Sequence, residues 1–238
     1  MKGAILQPTY LPWLGYFEMI SAVDIFVIYD HVQFVKKSWH HRNRIKGPNG
    51  EIMLTLPVKK SPLNTPIADI ELASTYEKVL SEHFVSISHS YKKAEYFGMY
   101  SKSLESLYLA KYTSLADLTV AFIRYFCSQL GIATLFLRSS SLELNSSPLD
   151  STERVLELCR VAQITELYDA NGAKYLLDAS RFVRDDIDVV FQNYEPSSYT
   201  QLFSGFLPYM SVIDLLLNEG PNSLNIIKNG RQNPIKMA

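Results

Sequence analysis

The N-terminal segment leaves the chain little choice of fold. KGAILQ (2–7) is a short apolar strand sequence, and it stops at Gln7-Pro8 because Pro8 has no N–H for a ladder and restricts the residue before it. Leu14, Phe17 and Ile20 then recur at helical spacing up to Ala22, and IFVIY (25–29) has the β-branched and aromatic character of a buried strand. Strand, loop, helix and strand in that order join parallel strands through a right-handed crossover. The loop after the first strand and the end of the second, Tyr29-Asp30-His31, therefore share the carboxyl edge of the sheet, where open α/β sheets bind ligands.

The rest of the chain extends this frame. Pro48-Asn49-Gly50 is a turn signal between a basic stretch and the strand-like EIMLTLPV (51–58), so a hairpin is expected, with a further strand at IADIEL (67–72). Residues 75–130 carry helical spacing throughout and form a helical insertion or subdomain, the last helix closing at Gly131. TLFLRSSSL (134–142) returns to strand, Asp150 caps a helix to about Ala162, and ITELYDA (164–170) and IDVVFQNY (187–194) are strands. LPYMSVIDLLLNEG (207–220) is a helix, and the tail NGRQNPIKMA is expected to fray. The reading is one three-layer α/β domain over 1–238 with a mainly parallel sheet.

Composition narrows the function. With 23 Lys and Arg against 24 Asp and Glu, no whole-molecule field attracts nucleic acid or anionic membrane, so any basic site is local. No apolar run suits a membrane span or a signal peptide, which makes the cytoplasm the expected location. Cys127 and Cys159 sit in apolar helical stretches as buried thiols. Nothing in the residues selects a cofactor, and association between copies of the chain stays open.

Candidate site residues gather early. Gln7, Tyr10, Trp13 and Gly15 belong to the first loop and helix start, where a glycine permits close approach and a helix N-terminus favours an anion, or where Pro12–Gly15 is only a packing turn. Lys36, Lys37, His40, His41, Arg42 and Arg44 crowd around Trp39, a grouping suited to phosphate or diphosphate, or to a solvated strand edge. The histidines make a weak metal set, because neighbours in an extended chain point apart and no carboxylate accompanies them. Asp30 is the best-placed proton-transfer group, with His31 in reserve. Ser139, Ser140, Gly172 and Lys174 follow later strands and would complete the rim, while Gln192, Tyr199 and Gln201 offer hydrogen bonds to a sugar above Phe203 and Phe206. Asp214 reads as a helix residue satisfying nearby donors.

QPTYLPWLGYF (7–17), DIFVIYDHVQFVKKSWHHRNRIK (24–46), LTLPVKK (54–60) and YTQLFSGFLPYMSVIDLLLNEG (199–220) together resemble the WbqC-like family. That resemblance implies a setting in O-antigen and other surface-polysaccharide synthesis, with a transferase role, and supplies no catalytic residue set. The fold it suggests is similar to nucleotidylyltransferase-type nucleotide-binding folds. Their His-x-Gly-His element would fall on Trp13-Leu14-Gly15-Tyr16, where both histidines are absent. The expected function is group transfer on a nucleotide- or phosphate-linked sugar, with an anionic small molecule as partner. The alternative is a non-catalytic binding or accessory protein.

Overall fold

The computed structural model describes residues 1–144 and 150–237. β1 (Lys2–Leu6), α1 (Leu14–Ser21) and β2 (Ile25–Ile28) form the expected unit, with β1 and β2 parallel from Gly3–Ile25 to Leu6–Ile28. A separate hairpin follows, β3 (Arg42–Gly47) against β4 (Gly50–Thr55). Three helices come next, α2 (Tyr76–Tyr91), α3 (Phe97–Leu109) and α4 (Leu115–Leu130). Ser114 caps α4 by accepting from the Asp117 N–H, and Gly131 ends it at φ 71°, a left-handed conformation that glycine adopts without Cβ strain.

The chain then returns to the main sheet with β5 (Leu135–Arg138), α5 (Ser151–Val161), β6 (Glu166–Asp169), α6 (Ala179–Arg184) and β7 (Asp188–Phe191). It closes with α7 (Val212–Glu219), α8 (Ser223–Asn229) and β8 (Ile235–Lys236). Among the described residues the sheet order is β5-β2-β1-β6-β7-β8, parallel except for β8.

Alternation along the strands makes three layers, because successive side chains leave a strand on opposite faces. Ala4, Phe26 and Ile28 share one apolar cluster with α1, α2, α3, α4 and α7, while Ile5, Val27, Leu167 and Val189 pack with Leu156, Cys159 and Phe182 of α5 and α6. Both cysteines are free and buried, and burial pushes each thiol up to about 12, so neither offers a reactive thiolate near neutral pH. No helix among the described residues is long and apolar enough to cross a membrane.

Two sequence expectations fail here. Residues 67–72 form no strand: Pro66 supplies no donor, a 3-10 turn occupies Ile67–Asp69, and only single bridges, Val58–Leu72 and Glu71–Ser114, tie the segment down. The tail is also not frayed. Ile235 and Lys236 pair with β7, and the Arg231 Nε donates at 2.5 Å to the fully buried Glu18 of α1.

One feature of the sheet positions the site. β1 stands where the strand order reverses, with β2 and β5 on one side and β6 and β7 on the other. Its ladder with β2 runs over four residue pairs, but that with β6 over only Lys2–Glu166 and Gly3–Leu167. The two central strands therefore stop pairing before their carboxyl ends, the place where ligands enter open α/β sheets.

Candidate functional site

The loop leaving β1 is held rigid by its own neighbours. Asn43 of β3 donates through Nδ2 to the Tyr10 and Leu11 carbonyls at 3.2 and 2.7 Å, fixing a turn in which Leu11 has φ 48°. The Tyr10 N–H donates to the Trp39 carbonyl at 3.1 Å, and the Tyr16 hydroxyl to the Gln7 carbonyl at 3.1 Å. Between these anchors lies a cleft of about 320 Å³ lined by Thr9, Trp13, Tyr16, Trp39, Asn43, Arg44 and Tyr209. Its walls are four aromatic rings, two of them indoles.

Trp13 is buttressed from behind. Its ring lies edge-on to Tyr194 at 5.6 Å and tilted to Tyr209 at 5.5 Å. It also covers Gly15, where a Cβ would come within 2.3 Å of the indole. The glycine expected to admit a ligand thus admits Trp13 instead, and the indole is what faces the cleft. Gly15→Ala is expected to displace that ring, lowering stability by about 1–3 kcal/mol. Tryptophan fluorescence of the folded variant would show the altered Trp13 environment, and an unchanged spectrum and stability would contradict this packing.

The basic cluster divides three ways. Lys36 and Lys37 are exposed, Lys37 at φ 58°. Both histidines are spent internally: the His41 Nδ1 lies 2.9 Å from the Leu56 carbonyl while its Nε2 accepts from the Lys37 N–H, and His40 lies between the Val35 N–H and the Gln7 Oε1. Burial, with the His41 ring beside it, pushes His40 down to about 4, so it brings no positive charge to a phosphate near neutral pH. Only Arg42 and Arg44 remain. Both belong to β3 two residues apart, hence on the same face, and the Nε atom of each is buried without a partner. Arg44 reaches both Glu51 oxygens at 2.9 Å through Nη1 and sets its guanidinium 5.9 Å from the Trp39 ring centre.

The other predicted site residues are placed elsewhere or already engaged. Asp30 is fully buried; its Oδ1 accepts from the Ser139 hydroxyl and Ser140 N–H at 3.1 and 2.9 Å, its Oδ2 from the Arg138 Nε and Ser140 hydroxyl at 2.8 and 2.9 Å. Four donors fill a carboxylate's acceptor capacity, so Asp30, Ser139 and Ser140 form a clamp between the ends of β2 and β5 rather than an open phosphate rim. His31 faces solvent, its N–H donating to Ser139. Tyr10 is in the core, bonded to His83 and Tyr108. Gly172 is exposed in a 3-10 turn, and Gln192 donates inward to the Gly15 carbonyl and Glu18 at 2.8 and 2.6 Å.

Tyr199 and Gln201 serve the cleft indirectly. With Tyr91 they donate to the fully buried Asp214, while Lys46, also buried, donates to the Phe203 and Gly205 carbonyls. Gln201 further clasps Leu207 through both its N–H and its carbonyl. These bonds fix the loop that delivers Tyr209, itself at φ 59°, to the cleft wall. Sequence reading missed Thr9, Asn43 and Tyr209 as lining residues. Trp13 had a signal, since it belongs to the loop and helix start that follow the first strand.

A family model described as the WbqC-like protein family matches residues 7–226, from the loop after β1 into α8, and includes every wall of the cleft. The chain belongs to the WbqC-like family. The uncharacterized protein Rv1507c of Mycobacterium tuberculosis is 34% identical over 234 residues, covering 97% of this chain and 99% of its own length. No solved structure matches the chain. The WbqC-like match thus includes the aromatic cleft and the arginine-bearing hairpin alike. Among the described residues, no group of three or more His, Cys, Asp or Glu side chains is placed to hold a metal ion.

Proposed function

We propose that this WbqC-like chain is a group transferase acting on a nucleotide- or phosphate-linked sugar, bound with a ring in the aromatic cleft and its phosphate along Arg42 and Arg44. The surface-polysaccharide setting comes from the family resemblance. The chemistry rests on one observation: two guanidinium Nε–H groups on the same face of β3, buried and unpartnered, of which that of Arg44 belongs to a cleft walled by Trp13, Tyr16, Trp39 and Tyr209. A buried donor without an acceptor costs about 1–3 kcal/mol, a cost that a ligand anion removes once the guanidinium turns to meet it. Flat aromatic walls suit a base or the apolar face of a sugar. At 320 Å³ the cleft lies near the lower end of ligand-pocket sizes, so it holds part of such a ligand and leaves the phosphates to the hairpin.

Nucleotide sugars at roughly a hundred times their Kd should stabilise the protein by about 2.7 kcal/mol, seen as a rise in melting temperature. Arg42→Ala and Arg44→Ala should each abolish that rise while the unliganded proteins stay folded. A panel that moves no melting temperature counts against the reading. Mass spectrometry of incubations with a nucleotide sugar and candidate acceptors then looks for a new mass.

A second reading keeps the ligand and drops turnover, making the chain a binding or accessory protein of polysaccharide synthesis. The filled acceptor sites of Asp30 favour it, because the best-placed carboxylate of the sequence has no lone pair left for a substrate proton. Ligand binding without any new mass selects this alternative.

A further inference from the structure

Gln7 follows directly on β1, four residues beyond the last pair of the ladder with β6. Its backbone carbonyl accepts from the cleft-lining Tyr16, and its side chain meets His40, the residue after the cleft-lining Trp39. Gln7 therefore adjoins the cleft, behind Tyr16 and the chain that carries Trp39. Its Oε1 is 2.6 Å from the His40 Nε2, and its Nε2 has no partner among the described residues.

The proton positions follow from one backbone group. The Val35 N–H can only donate, and it points at the His40 Nδ1 from 3.3 Å, so that nitrogen carries no proton. Burial keeps the ring neutral, which leaves its single proton on Nε2, directed at Gln7. Gln7 must answer with its carbonyl oxygen, and its N–H2 is turned away from His40. Phe34 packs against the rings of both His40 and His41, at 5.8 and 5.4 Å, and restrains them.

A free glutamine both donates and accepts, and so suits a sugar hydroxyl. With its Oε1 held toward His40, Gln7 presents its two N–H groups as the unengaged part of the amide, and these suit an accepting atom. Resting on the ligand reading above, we infer that Gln7 is a phosphate-binding residue whose amide His40 orients, donating to a phosphoryl oxygen of the ligand alongside Arg42 and Arg44. His40 is a positioning residue and touches no ligand.

Gln7→Glu tests this without disturbing the support, since a glutamate still accepts from the His40 Nε2 but replaces N–H2 by an oxygen that repels phosphate. The probe is whichever of UDP, dTDP, GDP or CDP raises the wild-type melting temperature most. Its Kd should rise about ten- to hundredfold while the unliganded melting temperature stays near that of wild type. An unchanged Kd overturns the role of Gln7 but leaves the cleft reading intact, whereas no binding of any of the four to wild type removes both.

Two nuclear magnetic resonance readouts in the wild type do not depend on how the variant folds. The ¹⁵N shifts of His40 should show the proton on Nε2, and the Gln7 side-chain N–H2 signals should move on adding the nucleotide. A proton on Nδ1, or N–H2 signals that stay still at saturation, overturns the inference.

Discussion

Arg231→Ala is expected to destabilise the protein by about 3–5 kcal/mol, because it strands a carboxylate with no access to water. Glu18 is fully buried on α1, and Arg231 is its cationic partner at 2.5 Å; the Tyr168 hydroxyl and Gln192 amide supply only neutral donors, at 3.0 and 2.6 Å. Removing the guanidinium leaves a buried charge that those two cannot neutralise. Arg231 also reaches the Ser21 hydroxyl, so the same change unpins the C-terminal segment from α1. Urea unfolding of the variant should show the full loss, and Arg231→Lys a smaller one, since a lysine restores the charge without the planar fork. A loss below 1 kcal/mol for the alanine variant would mean that the tail is incidental to the fold.

The second large effect is acid sensitivity. Burial pushes His40 and His83 down from 6.5 to about 4, so both are neutral in the folded protein over a range where the unfolded chain binds protons. Their contribution is fully present above pH 6.5 and is lost as the pH falls toward 4, amounting to roughly 3 kcal/mol apiece. Asp169 acts oppositely. Burial raises its carboxyl from 3.8 to about 7 against the bond from the Ala170 N–H, so ionising it costs stability above pH 7, and acid relieves that cost. Two histidines against one aspartate leave a net loss of about 3 kcal/mol between pH 6.5 and 4. Unfolding at pH 7, 6 and 5 should show the decline, steeper in Asp169→Asn and reversed in a His40→Gln, His83→Gln double variant, where only the Asp169 contribution remains. Equal slopes in all three proteins would contradict these assignments.

How much of this was legible in the sequence depends on the range of the interaction involved. The β1–α1–β2 unit, the hairpin at Pro48–Gly50 and the three central helices follow from local periodicity and turn chemistry, and the structure has them close to the expected bounds. The 67–72 strand failed because an apolar alternating run pairs only where a neighbouring strand is free, and here single bridges are all that surround it. The tail was misjudged for the complementary reason. Its anchor is an ion pair to a residue 213 positions away, which no local pattern reveals.

The site divides along the same line. Trp13 was picked from the first loop and helix start, and Arg42 and Arg44 from the crowding of basic residues around Trp39; Trp13 and Arg44 line one cleft, and Arg42 lies two residues from Arg44 on β3. Asp30 was chosen because a strand end is where a catalytic group would sit. Its partners Arg138, Ser139 and Ser140 come from β5 and the turn behind it, so its engagement became visible only once β5 was placed beside β2. Tyr199, Gln201 and Asp214 were individually noticed, yet they act together to hold a loop whose tip, Tyr209, went unnoticed.

A crystal structure of the protein with a bound nucleotide sugar tests the central claim most directly. A ring of the ligand is expected between Trp13 and Trp39, with phosphoryl oxygens about 2.7–3.0 Å from guanidinium nitrogens of Arg42 and Arg44. A ligand lodged at another strand end, such as the Asp30–Ser140 clamp, with both Nε atoms still unpartnered, would contradict it.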